Sequence, residues 1–223
     1  MSLPSILRGA IAAALLSTAL LSISPLALAA GETQADWAKP VDKSFNLYQM
    51  SPTLYRSALP SGQNLPVLEQ LKVKTVVSFI KDDDRAWIGQ QNIAVVSFPT
   101  HADRVDDADV LKVLRILQSA EQNGPVLMHC KHGRDRTGLF AAMYRTVIQG
   151  WSKEDALKEM VEGGYGTEDD MTDAIAYVQK ADIGKLQLAL ASGACSTSAL
   201  AGCQLKGWLA DTFGEERPPH PAH

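Results

Sequence analysis

HCKHGRDRTG, residues 129–138, follows the apolar run Val126-Leu127-Met128 and leads into the largely apolar stretch 137–149. That order is a buried strand, a tight turn and a helix covered on most sides. A turn so placed sets its backbone N–H groups at a helix N-terminus, where the partial positive charge favours an anion. Gly133 supplies the bend where a side chain would not fit. Five residues separate Cys130 from Arg136, enough to wrap the chain round a tetrahedral oxyanion and return the arginine opposite the sulfur. There its planar guanidinium can bind two oxygens at once. The expected phosphate-binding set is Lys131, His132, Gly133, Arg134, Asp135 and Arg136.

The same nest of N–H groups favours a thiolate, so Cys130 reads as a nucleophile toward phosphorus. A phosphocysteine then divides one difficult hydrolysis into two steps. Thr137 is placed to donate a hydrogen bond to the sulfur as it leaves, and His129 to orient the loop from the strand end. Alone, Cys130 would pass for a small buried core residue; beside Gly133, Arg136 and Thr137 it does not. A zinc site on His129, Cys130 and His132 is set aside because adjacent residues on a tight turn lack ligand spacing. No metal and no cofactor is expected.

Working outward, residues 53–58, 75–80 and 93–98 read as strands, the last two as buried ones. Leu65, Leu68 and Leu71 have helical spacing. So do Val110, Leu111, Leu114 and Leu117 within 107–122, a helix stopped by Asn123-Gly124-Pro125. Ser152-x-x-Asp155 and Thr167-x-x-Asp170 read as capping boxes opening further helices, and Gly163-Gly164 closes the first. Strands alternate with helices and then helices run alone. This predicts an α/β domain with a small central, mostly parallel sheet flanked by helices and a helical C-terminal half.

Residues 1–29 have one basic residue, Arg8, an apolar run and then Ala27-Leu28-Ala29, the pattern of a cleaved secretory signal. The apolar run is broken by Ser17, Thr18, Ser22, Ser24 and Pro25, too short for a membrane span, so no stable membrane insertion is expected. The layout is a signal peptide (1–29), an extended leader (30–43), a catalytic domain (44–214) and a disordered tail (215–223), with the mature chain exported. The chain has 21 basic and 25 acidic residues, and losing Arg8 leaves 20 against 25. No basic tract suits a nucleic-acid backbone. Three cysteines in an exported chain suggest one pair and one free thiol. Cys195 and Cys203 lie close together in a stretch with no other chemistry and read as the disulfide, leaving Cys130 as an accessible, oxidisable thiol.

HCKHGRDRTG resembles the HCxxGxxR(S/T)G signature of the protein tyrosine phosphatase superfamily, and the short chain is similar to its dual-specificity-like branch. Tyr55-Arg56-Ser57-Ala58 resembles an early strand motif of that branch, and the likeness runs across residues 45–180. The leader together with SPTLYRSALP, VKTVVSFIKDDDRAW, PTHADRVDDA and VLMHCKHG is similar to exported bacterial members that restrain biofilm formation. The resemblance implies a dual-specificity-phosphatase-like fold and a phosphotyrosine-containing protein substrate, such as the periplasmic domain of a membrane-bound diguanylate cyclase.

Departure of a phenolate is faster if a carboxylic acid protonates its oxygen. Asp103, Asp106, Asp107 and Asp109 are the candidates. The last three sit where a helix begins, as caps do, while Asp103 is freer and matches the family's general-acid position. Lys81-Asp82-Asp83-Asp84-Arg85 reads as a solvated loop. Two other functions compete. Lys131 and Arg134 on the loop rim suit an inositol phosphate or phosphoinositide phosphatase, and a non-catalytic phosphate-binding module would use the same loop without turnover.

Overall fold

The computed structural model describes residues 36–198 and 200–203. The signal segment, the start of the leader and the tail therefore lie outside the described residues. Six strands form one mixed sheet: β1 (Lys39–Asp42), β2 (Leu47–Gln49), β3 (Leu54–Ser57), β4 (Thr75–Ser78), β5 (Ala94–Ser97) and β6 (Val126–His129), in the order β1-β2-β3-β6-β4-β5. The β1–β2 and β2–β3 pairs are antiparallel, and β3, β6, β4 and β5 run parallel. β1 lies inside the stretch read as an extended leader, so the sheet begins at Lys39.

Side chains alternate across each central strand, which gives the sheet two buried faces. Leu54, Val77, Val126 and Met128 point into a large cluster with the helices α3 (Asp107–Glu121), α4 (Asp135–Met143), α5 (Lys153–Glu162), α6 (Thr172–Lys180) and α7 (Ile183–Ser192). Tyr55, Val76 and Leu127 point the other way, into a smaller cluster with Leu68 of α1 (Leu65–Gln70) and Ile88 of α2 (Arg85–Ile88). β5 differs from the expectation of a buried strand. It is the sheet edge, and Ala94 and Ser97 are exposed while Val95 and Val96 are half-buried. Its β-branched run gives strand propensity but does not say how many neighbours the strand has.

Asp106 caps α3 by accepting from the Asp109 backbone N–H at 2.9 Å, and Ser152 caps α5 by accepting from that of Asp155 at 3.0 Å. Thr167 and Asp170 form the expected reciprocal box, but it opens a 3-10 turn, Glu168–Met171, that leads into α6. The helix after the phosphate loop runs as α for nine residues and then as one π turn, Tyr144–Ile148. Cys195 and Cys203 are joined by a disulfide.

Candidate active site

β6 is the central strand of the parallel set, and His129 at its C-terminal end pairs with Ser57 on one side and Ser78 on the other. Chain leaving that point emerges at the carboxyl edge of the sheet, where α/β folds collect ligands. Residues 130–134 make the turn, and α4 starts at Asp135.

Three successive carbonyls of this turn are held from behind. The Leu59 N–H donates to Lys131 O at 3.3 Å, Asn46 Nδ2 to His132 O at 3.1 Å and Arg56 Nη2 to Gly133 O at 2.9 Å. In a trans peptide the C=O and the next N–H point opposite ways. Fixing these carbonyls outward therefore turns the N–H groups of His132, Gly133 and Arg134 inward, as an anion cradle. Gly133 has φ +72°, and a Cβ there would lie 2.5 Å from Ala58 N. The residue is required both by its left-handed backbone and by the close approach of β3.

Cys130 stands at the base of the cradle with 2 % exposure, more enclosed than the accessible thiol expected, because the loop folds over its own first residue. Arg136 Nη1 donates to Phe79 O at 2.9 Å and Thr100 O at 3.2 Å, which ties the β4 end and the loop after β5 to the cradle. A guanidinium carries five N–H donors, so this leaves a fork for phosphate. The Thr137 hydroxyl is fully buried and has no partner among the described residues, a donor held in reserve beside the loop. Lys131 and His132 are exposed at the rim.

His129 Nε2 donates to Asp84 Oδ2 at 3.0 Å, and Trp87 Nε1 to Asp84 Oδ1 at 2.8 Å. Asp84 is 1 % exposed, which corrects its reading as part of a solvated charge run: only Lys81, Asp82 and Asp83 of the first four are on the surface. Burial pushes the Asp84 carboxyl up, but the hydrogen bond and charge of His129 outweigh that and hold it below the usual carboxylate range. The pair fixes the histidine that precedes Cys130.

Among the acid candidates, three are engaged elsewhere. Asp106 caps α3 and Asp109 completes that box. Asp107 accepts from Tyr177 Oη at 2.7 Å and also from Thr197 Oγ1. Asp103 is exposed on the 3-10 turn Ala102–Arg104, where its ion-pair contact is Arg104 at 3.8 Å. That turn packs against α4 and α6 beside the loop. Asp135, half-buried at the start of α4, has its carboxyl pushed up by burial, with Arg136 opposing and Asp173 and Asp103 adding to the rise. Arg134 is bound to Asp170 at 2.5 Å.

Sequence reasoning did not single out Asn46, Arg56 or Asp84 as site residues. Arg56 carried a signal, a cation inside an apolar strand; Asn46 and Asp84 carried none. A groove of about 720 Å³ between α3, the β5 edge and the disulfide is not lined by any residue of the 130–136 loop.

The sequence pattern of the tyrosine phosphatase family matches residues 43–189. The dual specificity protein phosphatase TpbA of Pseudomonas aeruginosa strain UCBPP-PA14 is 63% identical over 195 residues, covering 86% of this chain and 88% of that protein. A crystal structure of P. aeruginosa TpbA, a cysteine-to-serine form in complex with pTyr, aligns with TM-score 0.71 at 67% identity, over 73% of this chain and 99% of that one. The solution structure of P. aeruginosa tyrosine phosphatase related to biofilm formation A aligns with TM-score 0.52 at 62% identity, over 87% of this chain and 100% of that one.

Proposed function

This chain belongs to the tyrosine phosphatase family, and from that premise we propose that it hydrolyses phosphotyrosine in exported proteins through a phosphocysteine. The observation that carries this is the back-bonded loop, whose three outward carbonyls turn three N–H groups in around Cys130.

In the first step the Cys130 sulfur attacks phosphorus and the bond to the tyrosyl oxygen breaks. The Asp103 carboxylic acid gives its proton to the leaving phenolate, and Arg136 and the loop N–H groups hold the charge on the three equatorial oxygens. In the second step a water attacks the phosphocysteine and the Asp103 carboxylate takes its proton. The sulfur–phosphorus bond breaks, and Thr137 donates to the sulfur that leaves. Lys131 and His132 at the rim meet the substrate outside the cradle.

The relative that carries biofilm formation in its name supports a wider reading. The enzyme acts in the periplasm after removal of residues 1–29, its substrate is the outward-facing domain of a membrane-bound diguanylate cyclase, and it restrains biofilm formation. A phosphotyrosine peptide, a phosphoserine peptide and inositol hexakisphosphate, offered to wild type and Cys130→Ser, test the chemistry. Turnover of the tyrosine peptide by wild type and none by Cys130→Ser is expected; preference for the inositol phosphate overturns the substrate class. The rim opposes that outcome, because Arg134 is engaged by Asp170, and Asp103, Asp135 and Asp173 add negative charge nearby. Fractionation with N-terminal sequencing tests export, the expected first residue being Ala30.

A further inference from the structure

We propose that Arg56 is a positioning residue for phosphoryl transfer. In this role it is a buried guanidinium that orients the phosphate loop through the Gly133 carbonyl and takes as counter-charge the anion in the loop, first the Cys130 thiolate and then phosphate. The role rests on the phosphatase reading above and adds a residue outside the loop to it.

Arg56 lies in β3, hydrogen-bonded into the sheet between Tyr48 of β2 and Met128 of β6, and its side chain is 1 % exposed. A cation in such a place is costly unless an anion and hydrogen bonds answer it. Its Nη2 donates to Gly133 O at 2.9 Å, and its guanidinium lies 3.6 Å from the centre of the Tyr165 ring. Its Nε has no partner among the described residues. Tyr165 supplies a π face and no negative charge, since burial, the largest influence on it, pushes its phenol up to about 12.

The buried carboxylate that acts on Arg56 is Glu159, and its hydrogen bonds go elsewhere. It accepts from Arg145 Nε at 2.8 Å and Arg145 Nη2 at 2.7 Å, and from the Ala38 N–H at 2.6 Å. Two buried guanidiniums thus share one carboxylate, which leaves one positive charge over. Burial pulls the Arg56 guanidinium below its ordinary value; Tyr165, Glu159 and Cys130 act against that, and Arg145 adds to it. Cys130 is the remaining group in that cluster that becomes an anion. In a poorly screened interior the surplus charge acts strongly on whatever occupies the cradle. The hydrogen bond to Gly133 O does a second job by turning the Arg134 N–H inward.

Arg56→Ala, Arg56→Met and Arg56→Lys test this, with phosphotyrosine-peptide hydrolysis and orthovanadate binding as readouts and circular dichroism as the check on folding. Loss of a charge-assisted hydrogen bond predicts that kcat/KM and vanadate affinity fall by roughly 10- to 100-fold in Arg56→Ala and Arg56→Met. Millimolar guanidinium, which refills the space with a cation, is expected to restore much of both in Arg56→Ala, and urea, its neutral isostere, is not. Rescue by urea equal to that by guanidinium, or wild-type vanadate affinity in Arg56→Met, overturns the proposal. If Arg56→Ala does not fold, Arg56→Lys decides: it should hold vanadate better than Arg56→Met, and equal weakness overturns the charge role. Absence of peptide turnover in wild type would instead overturn the phosphatase reading, and vanadate binding would still score Arg56.

Discussion

The two loops proposed to carry the chemistry lie at the carboxyl edge of the sheet, and they are built in opposite ways. The turn between β6 and α4 is fixed from behind at three successive carbonyls, by Leu59, Asn46 and Arg56, and its Cys130 is 2 % exposed. The turn between β5 and α3 carries Asp103 in the open, with an ion-pair contact to the neighbouring Arg104 at 3.8 Å. The difference fits the work proposed for each. An anion cradle must be rigid before phosphate arrives, because donors that reorganise lose their advantage. A proton donor must follow an oxygen that moves away, and an exposed turn permits that. Arg136 Nη1 links the two, bonding Thr100 O after β5 as well as Phe79 O after β4.

The rigid side should fail hardest. Gly133→Ala places a methyl 2.5 Å from Ala58 N at a φ of +72°, so the loop must leave β3. A loss of roughly 1,000-fold in kcat/KM is expected, together with weaker vanadate binding. Near-wild-type kinetics would show that the cradle does not depend on its back face. Asp103→Asn tests the open side and should leave vanadate binding nearly intact. It should lower kcat on a phosphotyrosine peptide by roughly 100-fold and cost far less on an aryl phosphate whose leaving group needs no proton. Equal losses on both substrates would move the acid elsewhere.

The same contrast explains what could be read beforehand. Cys130, Gly133, Arg136 and Thr137 lie within eight consecutive residues, and one local geometry needs them all, so the motif is visible in the sequence. The central strands were legible from their apolar runs, α3 from the helical spacing of Val110, Leu111, Leu114 and Leu117, and α5 from its capping box. Asn46, Arg56 and Asp84 act on the loop across 86, 77 and 45 residues of chain, through contacts that exist only once the sheet has formed. Asp84 looked solvated because its neighbours Asp82 and Asp83 are; its own partner, His129, is at the end of β6. β5 looked buried because propensity does not encode strand order.

Asp84→Asn probes the support under His129 and should have a smaller kinetic effect, about tenfold in kcat/KM, with a clear effect on stability. Removing one partner of a buried ion pair costs about 3–5 kcal/mol. The Asp84 carboxyl is held below its ordinary value in the folded protein. Its contribution is therefore present above an unfolded value of about 3.9 and lost as pH falls through the folded value. The gap in melting temperature between wild type and Asp84→Asn should be widest near neutrality and close in acid. A gap independent of pH would mean that packing, and not charge, is what Asp84 contributes.

Asp135→Asn should have the smallest effect and the opposite sign. Here burial comes first in pushing the carboxyl up, with Asp173 and Asp103 adding and Arg136 opposing. A raised carboxyl contributes stability that is fully present below its unfolded value and lost as pH rises through the folded one. At neutral pH the Asp135 carboxyl is thus held at a cost relative to the unfolded chain, in a place where an amide would carry none. Asp135→Asn should raise the melting temperature by about 1–2 °C at pH 7, the size limited by solvent screening of a half-exposed group, and the gain should disappear in acid. With one negative charge removed beside Asp103 and the loop, inositol hexakisphosphate should also bind better to Asp135→Asn than to wild type. A lower melting temperature at pH 7 would mean that the Asp135 carboxylate is held by Arg136 more tightly than burial opposes it. The α4 end of the cradle would then be as firmly fixed as its back.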